Sequence, residues 1–289
     1  MLKLYCVTET RPRPGDPVIN GHQTGEMVLY EAKEFSQSDV ARLQTAITLI
    51  STVVENVYRI NAVKESAQEY RETIAALNSD NVEAMLRTER RFRSYVLEFD
   101  MFLDYWQSSI AHYKRIDGTC DDKLTADYKA LFRKVTTDAY DNHVEYRLLD
   151  LIRNQTAHVQ SPVNRIHVGI EGNEVYTDRD ILLEKCKSGE NKKKILREQE
   201  TELALSPIVD VTENCLIEIH DGLMDYQIDE QVITECEVIK SFIEYIVSKD
   251  LLFQPWLIMD KITAVPETYH IRDMKAYGYI IGRIVDRER

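Results

Sequence analysis

The strongest constraint on this chain is a helical rhythm that begins at Ser38 and scarcely pauses before Ser161-Pro162. Val40, Leu43, Ala46, Ile47, Ile50 and Val54 return at intervals of three or four, the spacing that lines one face of an α-helix. Ser38 is a natural N-cap for that run. The pattern predicts helix to about Leu77 with one break on the way. Asn78-Ser79-Asp80-Asn81 is a turn cluster that supplies the cap of a second long helix, about 80–115, which Asp117-Gly118 closes. A third helical stretch runs over about 122–160, with an interruption expected near Thr136-Thr137. Ten glycines and seven prolines in 289 residues agree with a helical majority.

Short β elements frame the helices. Residues 2–8 and 26–32 carry β-branched and aromatic residues and read as strands, joined by the proline-spaced loop Arg11 to Pro17 and pairing as a hairpin. The strongest hairpin signal covers 165–177, with a two-residue turn expected at Gly172-Asn173. Helical patterning returns at about 178–186, 193–204, 207–225 and 229–249, and the charged segment Lys187 to Lys194 reads as a surface turn. Beyond Leu251, Trp256, Tyr269, Tyr277 and Tyr279 mix with Pro255, Pro266, Gly278 and Gly282. The expected fold class is mainly α, with a short N-terminal β segment at 1–37, a helical core over 38–250 containing the inserted hairpin, and a C-terminal extension at 251–289.

Several function classes fall away on composition. No apolar run approaches the ~18 residues of a membrane span, and the N-terminus lacks the long apolar stretch of a signal peptide. Cys6, Cys120, Cys186, Cys215 and Cys236 are scattered, with no C-x-x-C pair. That distribution suits reduced thiols in a cytoplasmic protein, not a disulfide framework or a zinc site. There is no P-loop, dinucleotide glycine fingerprint, H-E-x-x-H or G-x-S-x-G. The net charge of −13 argues against diffuse attraction to nucleic acid. Between residues 80 and 165, however, 13 Lys+Arg face 14 Asp+Glu, so that stretch is nearly neutral and the acidity lies elsewhere.

The chemistry-bearing stretch is Leu148 to Val159. Positions 144, 148, 151, 152 and 159 are apolar and would face a core, while His143, Arg147, Asp150, Asn154 and His158 make a polar stripe on the other side. Arg153 flanks the stripe and can reach Asp150 at i−3; for both Asp150 and Arg147 the plainer reading is structural, an Asp150–Arg153 helix pair, and the alternative is a supporting role behind the motif. An arginine followed four to six residues later by histidine carries no weight by spacing alone, but an asparagine directly after the arginine makes the match much rarer. A histidine at a helix C-terminus is also favoured by the helix macrodipole, so a structural cap remains the competing reading.

Arg153, Asn154 and His158, in the form R-N-x-x-x-H at the end of a long amphipathic helix, resemble the HEPN family (higher eukaryote and prokaryote nucleotide-binding), helical proteins many of which are ribonucleases. The resemblance covers roughly 80–165 and extends at most to about 250; it does not account for the N-terminal segment or the hairpin. It implies a HEPN-like helical bundle and a metal-independent endoribonuclease that needs no cofactor, with Arg153, Asn154 and His158 catalytic and Asp150 and Arg147 behind them. It further implies an RNA substrate, a homodimer that joins two motifs, and a toxin–antitoxin or defence setting with a cognate antitoxin.

The residue chemistry fits that implication. RNA carries its own nucleophile, the 2′-OH. An imidazole with an ordinary pKa of ~6.5 can move its proton near neutrality, and a guanidinium can hold the phosphate. Arg87, Arg90, Arg91 and Arg93 form the densest basic cluster, a weaker candidate for RNA backbone contact. A non-catalytic helical adaptor that binds a nucleotide or a protein through the same motif is the alternative, and the acidic net charge favours it.

Overall fold

The structure, a computed structural model, describes residues 2–12, 18–19, 22–23, 25–35, 37–114, 118–156, 161–170, 172–186, 189–248, 256–259 and 274–287. In chain order the elements are β1 (Leu2–Pro12), β2 (Val18–Ile19), β3 (His22–Gln23), β4 (Gly25–Phe35), α1 (Gln37–Leu49), α2 (Ser51–Ala75), α3 (Val82–Ala111), α4 (Asp122–Asn142) and α5 (Val144–Thr156). There follow β5 (Arg165–Gly169), β6 (Gly172–Asp178), α6 (Arg179–Lys185), α7 (Glu190–Arg197), β7 (Glu202–Ala204), α8 (Leu205–Gln227), α9 (Glu230–Ser248), β8 (Trp256–Met259) and α10 (Met274–Arg287). The fold is mainly α with small antiparallel sheets. Among the described residues no helix is long and apolar enough to cross a membrane.

The chain divides into two compact units, Met1–Val54 with Ile228–Arg289, and Glu55–Gln227. The helical stretch expected at 38–250 contributes to both. In the first unit β1 pairs antiparallel with β4 on one side and β8 on the other. The hairpin expected from residues 2–8 and 26–32 is therefore present, longer at both ends. Leu43 and Ala46 are buried on α1, and Ile50 just past its end; α1 packs on α9, and Arg42 makes an ion pair with Glu235.

The second unit is built on α3. Asn81 caps it by accepting a hydrogen bond from the Ala84 N–H at 2.9 Å. Its inward face carries Phe92, Tyr95, Phe99, Phe102 and Trp106, all essentially inaccessible. Tyr95 donates its hydroxyl to the Val209 carbonyl of α8, and Tyr128 of α4 donates to the Leu223 carbonyl. Trp106 meets Phe102, Tyr128 and His220 edge-on, at centroid distances of 6.4, 6.4 and 5.8 Å. Such tilted pairings suit ring quadrupoles and fix α3 against α4 and α8.

The sheet β5–β6–β7 ties the ends of other helices together. Asn173 of β6 donates to the carbonyls of Ile74, in the last turn of α2, and of Leu77, two residues past its end. Its neighbour Glu174 accepts from the Ser206 hydroxyl at 2.8 Å at the start of α8. The hairpin signal at 165–177 is correct, but its turn is not Gly172-Asn173. Gly169 pairs with Gly172 and Val168 with Asn173, so Gly172 and Asn173 belong to β6; Glu171 lies outside the described residues. That register sets buried Ile166 opposite buried Val175, and a shift would take both away from the core. Gly172 has φ +130, a conformation that favours glycine.

Three other expectations change. The break in the third helical stretch falls at His143, not near Thr136-Thr137, because the Thr136 hydroxyl returns a hydrogen bond to the Phe132 carbonyl and leaves the helix intact. The helix expected over 193–204 ends at Arg197, and 202–204 pair as a strand with β6. Lys192, Lys193 and Lys194 lie on α7, not in a turn.

Leu149 is fully buried at the centre of α5. Leu149→Ala is expected to cost about 2–5 kcal/mol through lost burial and a cavity, read as a lower urea midpoint with unchanged slope.

Burial holds the Cys215 thiol up at about 11 and the Tyr105 phenol at about 12, Arg59 over the Tyr105 ring opposing part of the second shift. Both folded values are raised, so their stabilisation is complete below the ordinary thiol value of 9.0 and is lost as pH climbs through the folded values. Stability should fall from pH 9 to 11; a flat profile of urea midpoint against pH over that window would contradict the burial of these groups.

Candidate functional site

The apolar residues of α5 decide where its polar ones go. Leu148, Leu149, Leu151 and Ile152 are buried against neighbouring helices, α8 and α3 among them. Tyr146 adds an edge-on contact with Phe99, ring centroids 5.3 Å apart, and burial lifts its phenol above the ordinary range. With that face committed, Asp150, Arg153 and Asn154 lie at its margin.

Arg153 is held from two sides. Its Nη1 donates to Asp100 Oδ1 of α3 at 2.6 Å, and its Nη2 lies 3.2 Å from Asp150 Oδ1. Lys192 of α7 donates to the other oxygen of Asp150 at 2.7 Å. Two carboxylates and two cations therefore alternate as Asp100–Arg153–Asp150–Lys192, joining α3, α5 and α7. Side-chain exposure is 26% for Arg153 and 18% for Asp150, low enough that these pairs are screened less than open surface pairs. Asn154 is exposed and turns back along its own helix, donating to the Asp150 carbonyl at 2.7 Å.

The expected helix pair Asp150–Arg153 is thus present, but each partner has a second counter-ion. Asp100 and Lys192 complete the network, and sequence reading did not select either of them for it. Lys192, read as part of an inert surface turn, is an ion-pair donor. His158 lies outside the described residues, as does Val159 of the apolar face. Arg147 points elsewhere: its Nε is buried without a hydrogen-bond partner among the described residues.

His143 does not continue the polar stripe of α5. It ends α4, its N–H donating to the Ala139 carbonyl at 3.2 Å, and lines a cleft of about 180 Å³ between α4 and α8. Asp138, Asn142, Cys215 and Glu218 share that cleft. Burial raises the Cys215 thiol, with Glu218 and Glu145 adding to the shift, so the cleft disfavours a thiolate nucleophile. Among the described residues no group of three His, Cys, Asp or Glu could hold a metal ion.

The arginines of α3 do not form one cluster. Arg91 pairs with Glu69 at 2.5 Å and Arg93 with Glu89 at 2.7 Å. Arg87 and Arg90 make no ion pair among the described residues and are exposed.

Comparison of the chain with protein-family models, with curated proteins and with solved structures returns no match. The candidate site accordingly rests on its own geometry.

Asp150 neutralises two cations at once, so Asp150→Asn should destabilise more than Lys192→Met. The expected costs are about 1–3 kcal/mol for the first and under about 1 kcal/mol for the second, measured by urea denaturation at low salt. Equal costs would remove Asp150 from the centre of the network.

Proposed function

We propose that the chain is a metal-independent endoribonuclease of HEPN type. The observation that supports it is Arg153: a half-buried guanidinium in the last turn of α5, positioned by carboxylates of two helices and followed in the sequence five residues on by His158. A cation fixed beforehand costs little to orient when charge develops on a phosphorane. Arg153 donates from Nη1 to Asp100, keeps Nη2 3.2 Å from Asp150, and has further N–H groups for a phosphate oxygen.

In this reading His158 takes the proton of the 2′-OH, the 2′-oxygen bonds to phosphorus, and the P–O5′ bond breaks. The departing 5′-oxygen receives a proton from a second acid, His158 of another copy or water. The products are a 2′,3′-cyclic phosphate and a 5′-hydroxyl. Asn154 orients the imidazole once it leaves the Asp150 carbonyl. A toxin or defence component restrained by a cognate antitoxin in the cytoplasm is the setting that the resemblance suggests.

A second reading, the non-catalytic adaptor, is favoured by one specific observation. Asp100 and Asp150 already neutralise Arg153, and Asn154 is engaged with its own helix. In that case the motif clasps α3 to α5 and presents a surface to a nucleotide or a protein.

Incubating wild type, His158→Ala and Arg153→Ala with total and transfer RNA in EDTA separates the two. The ribonuclease reading expects cyclic-phosphate ends from the wild type, with a loss of roughly 10²–10⁴-fold in His158→Ala. Absence of cleavage by all three folded proteins rejects it and leaves the adaptor.

A further inference from the structure

α4 and α8 part over one stretch and leave the cleft of about 180 Å³ that His143 lines. Val135, Asp138, Ala139 and Asn142 recur at intervals of three or four or their sums on α4, as Cys215, Glu218 and Ile219 do on α8, so each helix turns one face toward it. Ala139, Cys215 and Ile219 are buried and form its base, while Asp138, Asn142 and Glu218 are exposed at its mouth. Toward one end the helices close up: a Cβ added at Gly222 of α8 would lie 3.9 Å from Val135 Cγ1.

This cleft is short of positive charge. α8 carries Asp210, Glu213, Glu218, Asp221 and Asp225 and no lysine or arginine. Arg71 answers Asp210 and Glu213, but Glu218 has no ion pair among the described residues. Asp138 has none there either, although Arg133 and Lys134 stand about one turn before it, and Asp141 adds a further acid beside Asn142. The Cys215 thiol at the base is 3% exposed, with no hydrogen-bond partner outside its own residue among the described residues. Burial pushes that thiol up to about 11, and Glu218 and Glu145 add to the shift, so carboxylates of α8 and α5 both lie near it. Carboxylates gathered over an apolar base repel one another, and a cation placed between them relieves the repulsion.

We propose that the cleft between α4 and α8 binds a small aliphatic amine, its ammonium held by Asp138 and Glu218 and its short chain lying on Val135, Ala139 and Ile219. An ammonium brings three N–H donors, and Asp138, Glu218 and the side-chain carbonyl of Asn142 are three acceptors at the mouth. A metal ion fits the same surface poorly, because among the described residues no three His, Cys, Asp or Glu converge on one point and half of the lining is apolar. Sites for drug-sized ligands run to about 300–1,000 Å³, so this smaller cleft has room for a chain of only a few carbons. None of these residues belongs to the Arg153 network, and the site stands whether or not RNA is cut.

The test is titration of the full chain with butylamine at fixed pH and ionic strength, followed through the His143 ring protons in the NMR spectrum and assigned with His143→Gln. Wild type should give a saturable shift with a dissociation constant on the order of millimolar. Asp138→Asn and Glu218→Gln should each weaken binding roughly tenfold; both positions are exposed, so the circular dichroism spectrum should not change. Butanol and butyrate, which keep the chain but lack the cation, should leave the His143 signals in place. A wild type whose signals do not saturate with butylamine overturns the proposal. So does butanol binding as tightly as butylamine, which would make the cleft an apolar groove, or a folded double variant that keeps the wild-type affinity.

Discussion

A guanidinium at the edge of a hydrophobic helix must be answered by carboxylates, and much of the second unit is arranged around that requirement. Leu149 and Ile152 commit α5 to the core, which leaves Arg153 half buried at its margin. Asp150 lies at i−3 and supplies one counter-charge, but it also faces Lys192, so Arg153 needs a second acid. Only another helix can provide it, and Asp100 of α3 does. The alternation of charges then ties α3, α5 and α7 with directional bonds where packing alone would let the helices slide.

The small sheet solves the opposite problem, that of helix ends. The last carbonyls of α2 and the first N–H groups of α8 have no partners within their own helices. Adjacent residues on β6, Asn173 and Glu174, satisfy them from opposite faces of one strand: the amide of Asn173 donates to α2, and the carboxylate of Glu174 accepts from Ser206. A hairpin that looks like an ornament on a helical protein is the piece that sets two of its long helices end to strand. The register of that hairpin, with Ile166 opposite Val175, is therefore coupled to the capping of both helices.

The elements legible in the sequence are those governed by local rules. The Asn81 cap, the break after α1, the pairing of the N-terminal strands and the i−3 pair of Asp150 with Arg153 follow from spacing or from side-chain chemistry within a few residues. What was not legible depends on tertiary contact. Asp100 and Lys192 stand 53 and 42 residues from their partners, and nothing in their surroundings separates them from other surface charges. Glu202 to Ala204 is too short for a period and becomes a strand only because β6 offers an edge. The hairpin turn was misplaced because Gly172-Asn173 is a good local turn, while the register is set by burial of Ile166 and Val175.

Charge limits what the Arg153 network can attract. Asp100, Arg153, Asp150 and Lys192 sum to zero, so a phosphate approaching Arg153 meets no net attraction from the cluster itself. Its binding must come from short-range hydrogen bonds, or from cations recruited nearby. Arg87 and Arg90 are such cations on the adjoining helix, exposed and without an ion pair among the described residues. A phosphate chain held by Arg153 and Lys192 alone would bind with a shallow dependence on salt, and one that also reached Arg87 and Arg90 with a steeper one. The salt slope of RNA affinity, wild type against Arg87→Ala with Arg90→Ala, thus reports whether the arginines of α3 belong to the same surface as Arg153.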